Sequence, residues 1–244
     1  MNQLISKTLS EIVNEQFQTA SVFEKYHLDY CCKGKRSLQQ ACEEENLPVN
    51  EIVAHLKNIY SNKKNALDFT NMKLYKLSEY IVHTHHSYVK KEMPQIISCL
   101  QKVASKHGSK HVELYKIAEL FADLSNEMTA HMNKEEAIVF PAIKQLEQNG
   151  FRPVTFDKQT PEYLKLPVIT LENEHEAAGN IMNEIRKLTD NYTAPADSCT
   201  TFKLLYASLK AFEIDLHHHV HLENSILFPK ALMLEKEIQM TTNN

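Results

Sequence analysis

The chain has 244 residues, 43% of them hydrophobic, with only 4 glycines, 8 prolines and no tryptophan; such scarcity of turn residues favours helices over a strand-and-turn architecture. A formal charge of −4 leaves no basic excess to attract nucleic acid or an anionic membrane surface. Five cysteines without regular spacing, and no long apolar run, point to a cytoplasmic protein with reduced thiols and no membrane span.

Taken in order, the chain opens with Thr8 and Glu11, spaced as a capping box ahead of a short helix through Leu9, Ile12, Val13 and Phe17. A second short helix carries Val22, Phe23 and Tyr26. The apolar period stops at Asp29-Tyr30-Cys31-Cys32-Lys33-Gly34-Lys35, where Gly34 predicts a turn. Ser37 and Gln40 suggest a second capping box, and Pro48 precedes a helix through Ile52, Val53 and Leu56. The polar run Ser61-Asn62-Lys63-Lys64-Asn65 reads as a linker. Residues 1–62 are therefore expected to form a small helical domain, and residues 63–244 a second one.

Four long amphipathic patterns follow. The first takes Leu77, Val82, His86, Val89, Met93, Ile96, Leu100 and Val103, with Gly108 beyond it; the second takes Ile117, Leu120, Leu124, Met128, His131, Glu135 and Ile138, before Gly150. Val168, Leu171, His175, Ala178, Met182, Ile185 and Leu188 make the third. The fourth runs through Phe202, Leu205, Leu209, Phe212, Leu216, His219, Glu223 and Ile226. Each places one histidine in a slot that the helical period assigns to the interior. Near-equal intervals separate His86 from His131 and His175 from His219, as two similar helical hairpins would. An antiparallel four-helix bundle brings all four imidazoles to one level.

The second and fourth patterns share more than their period. His131-x3-Glu135 continues to Ile138-Val139-Phe140-Pro141, and His219-x3-Glu223 continues to Ile226-Leu227-Phe228-Pro229. The bare His-x3-Glu spacing is weak, because this composition yields roughly one or two such pairs by accident. A single histidine on an apolar face is also more often a hydrogen-bonded core residue than a ligand. Four at matched depth with two inward glutamates reverse that balance, since buried carboxylates need a cation between them. Six nitrogen and oxygen donors exceed one tetrahedral zinc and suit two octahedral metals, with Glu135 and Glu223 bridging and iron or manganese favoured over zinc. Neighbouring histidines compete for the slots: His83, His85 and His86 at the first, and His217, His218, His219 and His221 at the last. His86 falls on the Val82-Val89-Met93 stripe, and His219 has the four-residue step to Glu223. Glu136 is expected to face away from Glu135 and to matter little.

His86, His131 with Glu135, His175, and His219 with Glu223 resemble the ligand set of hemerythrin-like di-iron bundles, over about residues 70 to 235. Together with Asp29-Tyr30-Cys31-Cys32, nearly the whole chain resembles the RIC, or repair of iron centres, family. The departure is Lys33, where that family more often has glycine. The resemblance implies an all-α, hemerythrin-like antiparallel bundle behind a small N-terminal domain, holding two non-haem irons per chain with an oxo or hydroxo bridge. It implies repair of iron–sulfur clusters damaged by nitrosative or oxidative stress, with damaged iron–sulfur proteins as partners and iron donation rather than classical enzymatic turnover. The alternatives are O2 or NO binding in the hemerythrin manner, or reduction of NO or peroxide. A homodimer stays open.

Cys31 and Cys32 read either as small residues at a helix end or, by the resemblance, as a redox or iron-transfer pair; Lys33 and Lys35 beside them are expected to favour the thiolate. Glu127, one turn before His131, and Glu174, next to His175, read either as solvated helix positions or as acceptors behind the metal ligands. Cys42, Cys99 and Cys199 read as ordinary core or surface residues.

Overall fold

The computed structural model describes residues 2–61, 67–149 and 163–242; the boundary expected at residue 62 and the glycine at 150 lie outside them. Helices α1 (Asn2–Ile5), α2 (Leu9–Glu15), α3 (Ala20–Lys25), α4 (Leu38–Glu44) and α5 (Val49–Ser61) enclose an N-terminal core that includes Leu9, Ile12, Phe23, Tyr30, Leu38, Ile52 and Leu56. The capping box at Thr8 is complete. Its hydroxyl accepts from the Glu11 N–H at 3.2 Å, and the Glu11 carboxylate accepts from the Thr8 N–H at 2.8 Å. Ser37 makes only half of the expected second box: its hydroxyl accepts from the Gln40 N–H, but the Gln40 amide turns to the charged Glu44 at 3.0 Å. Helix α2 ends at Glu15, so Phe17, expected inside it, opens a 3₁₀ turn (Phe17–Thr19) and stacks at its edge on Phe69, 5.0 Å away. Glycine is required at position 34, because a Cβ there would lie 2.2 Å from the Tyr30 carbonyl oxygen.

The bundle is made of four rods. Helix α6 (Leu74–Ile81) passes through a π-helical turn (Val82–His86) into α7 (Ser87–His107), and α8 (Glu113–Lys134) passes through another (Glu135–Val139) into α9 (Phe140–Asn149). Helix α10 (Lys165–Leu188) is uninterrupted, and α11 (Thr200–Leu222) continues through a third π-turn (Glu223–Leu227) into α12 (Phe228–Thr242). Helix α7 packs on α8 and α11, and α10 packs on α8 and α11, which closes the ring. Both carboxylate oxygens of Glu147 on α9 accept from the first N–H groups of α6, Leu74 and Tyr75, at 2.9 and 3.0 Å. Among the described residues no helix is long and apolar enough to cross a membrane.

Two of the π-turns precede a Phe-Pro pair. Proline has no N–H for the carbonyl four residues back, and its ring crowds that carbonyl; the wide turn before Pro141 and Pro229 accommodates both. The extra residue also rotates the face of the helix. Ile138, which the apolar pattern sends inward, is 49% exposed while Val139 and Phe140 are buried; the matching Ile226 in the third π-turn stays buried.

Two apolar cores fill the bundle. One contains Val89, Ile96, Leu124, Met128, Met182 and Leu216; the other contains Leu77, Ile81, Ile143, Leu171, Ile226 and Phe228. Successive rods traverse the two cores in opposite order, so the bundle is antiparallel, and each crosses from one core to the other at its inward histidine. The N-terminal unit docks on α11 and the turn after it. Asn14 bonds to His221 Nε2 at 3.0 Å, Glu24 to His217 Nδ1 at 2.8 Å, and Phe17 lies 5.1 Å from the His218 ring. A chain beginning at Leu67 is expected to keep the bundle's helical circular dichroism and to melt several degrees lower, since Phe69 and the His221 face of α11 would be uncovered. Loss of the cooperative transition would show that residues 2–61 belong to the bundle's own folding unit.

Candidate metal centre

At the level between the two cores, His86, His131, Glu135, His175, His219 and Glu223 converge, none more than 1% exposed. They form two overlapping groups. His86, Glu135, His219 and Glu223 make one, and His131, Glu135, His175 and Glu223 the other; within each, the donor atoms all lie within 4.8 Å of one another. Both glutamates are common to both groups. Glu135 Oε2 lies 3.3 Å from His86 Nε2 and 3.3 Å from His131 Nε2. Glu223 spans the other two, with Oε2 3.1 Å from His175 Nε2 and Oε1 3.1 Å from His219 Nε2.

The histidines face each other in pairs: His86 Nε2 and His219 Nε2 are 3.1 Å apart, and His131 Nε2 and His175 Nε2 are 2.9 Å apart. In three of the four rings Nδ1 donates outward. His86 gives to Glu136 at 2.7 Å, His131 to Glu174 at 2.9 Å and His175 to Asn224 at 2.8 Å. A neutral imidazole that donates from Nδ1 presents a lone pair at Nε2. The layer therefore aims imidazole lone pairs and two carboxylates at the same small volume, an arrangement that holds together only around positive charge. Burial alone would push Glu223 up, but His219 and His175 outweigh it and hold the carboxyl well below the usual range. Glu135 is likewise low, because His131 and His86 overcome both burial and the repulsion of Glu223. The donors fit metal cations, and an all-nitrogen-and-oxygen set with two shared carboxylates suits iron.

The flanking residues are built to the same plan. Phe140 stacks on the His86 ring at 5.7 Å and 20°, and Phe228 stacks on His175 at 6.2 Å and 4°. The repeated Phe-Pro thus serves the centre as well as the helix, and Pro fixes the π-turn that aims Phe at the ring. Lys90 and Lys134 pair with Glu136 and Glu174 from outside. Sequence reasoning missed Glu136, expected to face away, because the π-turn swings it beside His86. It missed Asn224 too, although the two occupy the same place in the repeat, directly after the inward glutamate. Of the two glutamates expected behind the ligands, Glu174 backs His131, whereas Glu127 is exposed on α8 outside the cluster. The competing histidines are accounted for as well: His83 is exposed, His85 bonds to Asp215 at 2.9 Å, and His217, His218 and His221 face the N-terminal unit.

Cys31 and Cys32 lie beside this layer. Asp29 Oδ1 accepts from both backbone N–H groups, at 3.1 and 2.9 Å, and the two sulfurs are 3.9 Å apart. Cys32 Sγ stands 3.8 Å from the carbonyl oxygen of His175. Lys33 and Lys35, expected to favour the thiolate, do not set the surroundings of Cys31. Its bond with Cys32, its burial and the Asp29 charge push the thiol well above the ordinary range, while both lysines are exposed. A cleft of about 380 Å³ opens here, bordered by Cys32, Lys33, Glu172, Glu176 and Asn224.

Burial would lower His131, but Glu135 outweighs it and raises the imidazole to about 9 in the metal-free cluster. That proton is bound at neutral pH and must leave before a metal can take Nε2. Cobalt(II) or iron(II) uptake near neutral pH should acidify a weakly buffered solution, and apparent affinity should rise with pH until His131 deprotonates by itself near 9. An affinity independent of pH over that interval would contradict this arrangement.

Residues 78–231 match the hemerythrin HHE cation binding domain, and residues 5–60 match a separate N-terminal domain of unknown function, ScdA_N. The iron-sulfur cluster repair protein YtfE of Enterobacter sp. (strain 638) is 33% identical over 224 residues, 92% of this chain and 96% of that protein. YtfE of Yersinia pseudotuberculosis serotype IB (strain PB1/+) is 31% identical, with 88% and 91% covered. A probable iron-sulfur cluster repair protein of Haemophilus influenzae is 31% identical, with 92% and 96% covered. A hemerythrin-like bundle behind an ScdA_N unit, shared along nearly its full length with these proteins, makes the chain a member of the iron–sulfur cluster repair family.

Proposed function

We propose that the protein repairs damaged iron–sulfur clusters by supplying iron from a di-iron centre in residues 63–244. The observation that carries this reading is the pair of His2Glu2 groups sharing both glutamates. His86 and His219 would hold one iron and His131 and His175 the other, with Glu135 and Glu223 within reach of both. The iron pair supplies the metal that a damaged cluster lacks. The protein's residues do the rest. Glu136, Glu174 and Asn224 keep the imidazoles in the tautomer that presents Nε2, and the apolar cores on either side exclude water. Cys31 and Cys32, beside the His175 backbone at the rim of the cleft, are placed to receive or pass a thiophilic ion. A dioxygen carrier has no use for that thiol pair, which favours donation over simple ligand binding. The partners are iron–sulfur proteins that have lost cluster iron.

The test is to incubate the iron-loaded protein anaerobically with a cluster-damaged hydratase while following hydratase activity and the iron left on the donor. Recovery should track iron lost from the donor. Recovery without iron loss, or only while NO or peroxide is consumed, would replace donation with a catalytic reading.

Substitution separates the ligands from the scaffold. Glu135→Leu and Glu223→Leu should each lower iron content and the melting temperature of the loaded protein. They should differ little from wild type after chelation, because a buried carboxylate without its cation is a liability that Leu removes. Glu136→Leu should keep iron but weaken its affinity by about 10- to 100-fold, as loss of an acceptor behind a metal-bound histidine does. Full iron content in the Glu135→Leu protein would dismiss the bridging role.

A further inference from the structure

The four imidazoles are not backed alike. Nδ1 of His86, His131 and His175 each has an oxygen acceptor within 2.9 Å, whereas Nδ1 of His219 is buried with no acceptor among the described residues. The internal repeat shows where the difference arises. Glu136 follows Glu135 and backs His86, just as Asn224 follows Glu223 and backs His175. Glu174 precedes His175 and backs His131, so the corresponding support for His219 should come from the residue preceding His86. That residue is His85. It meets His219 with its face, the two rings stacked with centroids 5.8 Å apart and planes 5° from parallel. Its own Nδ1 is turned to Asp215 Oδ1 at 2.9 Å.

We infer that the metal position shared by His86 and His219 is the exchangeable one of the two, and that His85 makes it so by placing a stacked ring where the repeat would place an acceptor. This rests on the two-iron reading above and adds which iron leaves. An acceptor on Nδ1–H fixes the tautomer and raises the basicity of Nε2, and its loss typically weakens metal binding by about 10- to 100-fold. Stacking on His85 fixes the plane of the His219 ring without that electronic support. The position between His131 and His175 has an acceptor behind each ring. With one iron gone, the other would still be ligated from α8, α10 and the glutamate after α11, so the centre can give up metal without losing its hold on the bundle. His85 acts through His219 and is a positioning residue.

The full-length protein, loaded anaerobically with iron(II), is mixed with an excess of a chromogenic ferrous chelator, and release is followed by absorbance. Two phases of one iron each are expected, with rates separated by about 10- to 100-fold. His85→Gln places an amide where Glu174 stands in the repeat; it should slow the fast phase and leave the slow one. Asn224→Ala strips the acceptor from His175 and should speed the slow phase while leaving the fast one. A single phase releasing both irons from the wild type overturns the inference and leaves the two-iron reading in place. Binding of only one iron removes that reading and the inference with it. Should His85→Gln not fold, Asn224→Ala still decides, because acceleration of the fast phase alone would assign the exchangeable position to His175.

Discussion

Two carboxylates buried between two apolar cores are the constraint on which the rest of this structure depends. Glu135 and Glu223 are fully buried, and the groups that approach their inward oxygens are imidazole nitrogens. Removing a charged pair from water costs several kcal/mol per ion unless geometry and further bonds repay it. Here the repayment must come from positive charge shared among six side chains on four rods. Each rod changes cores at the same layer, where its histidine or glutamate crosses.

Holding such a layer requires more than its inner side chains. Each of three imidazoles is clamped from outside by an oxygen, two of the carboxylates that supply those oxygens are themselves paired with lysine, and two rings lie against phenylalanine. The π-turns make this possible. A regular helix would point Glu135 and Phe140 along directions set by its own period, whereas the wide turn lets Glu136 and Phe140 both address His86 on the neighbouring rod, with Glu135 between that ring and His131 of its own rod. The irregularity that each Phe-Pro pair follows is thus located where it re-aims side chains toward the centre.

How much of this could be read in advance divides along one physical line. Side chains whose direction follows the helical period were legible. His131, His175, His219, Glu223 and the apolar residues of α10 and α11 face inward as their spacing requires. Residues displaced by a π-turn were not. Glu136 swings to His86, because one inserted residue rotates the face and nothing in an apolar pattern records it; Ile138 emerges into solvent while the matching Ile226 stays buried, a difference in what covers the helix that the shared motif does not carry. Clustered histidines were ambiguous for a different reason. A helix with apolar packing on two sides hides its histidines equally from either direction; the four-residue step to Glu223 singles out His219, and the N-terminal unit accounts for His217, His218 and His221. The thiols show the limit of reading charge from neighbours in sequence: Lys33 and Lys35 are adjacent to Cys31 along the chain, yet Asp29 and Cys32 are what its sulfur meets.

Helix α11 connects these facts, because it serves two interfaces at once. Its inner face supplies His219 and, one turn on, Glu223; its outer face supplies His217 to Glu24 and His221 to Asn14. Burial draws His221 down to about 4, so it docks as a neutral ring among Tyr30, Phe17 and Asn14 instead of as an ion. The side chain of the same Asn14 donates to the carbonyl of Ser225, inside the π-turn that positions Glu223. The N-terminal unit therefore touches the turn carrying Glu223 and, through Cys32, the backbone of the histidine facing it. Both contacts fall on the His175 and Glu223 side of the centre. The side shared by His86 and His219 has its support from α7, α9 and His85 instead, so the two halves of one nearly symmetric centre answer to different parts of the chain.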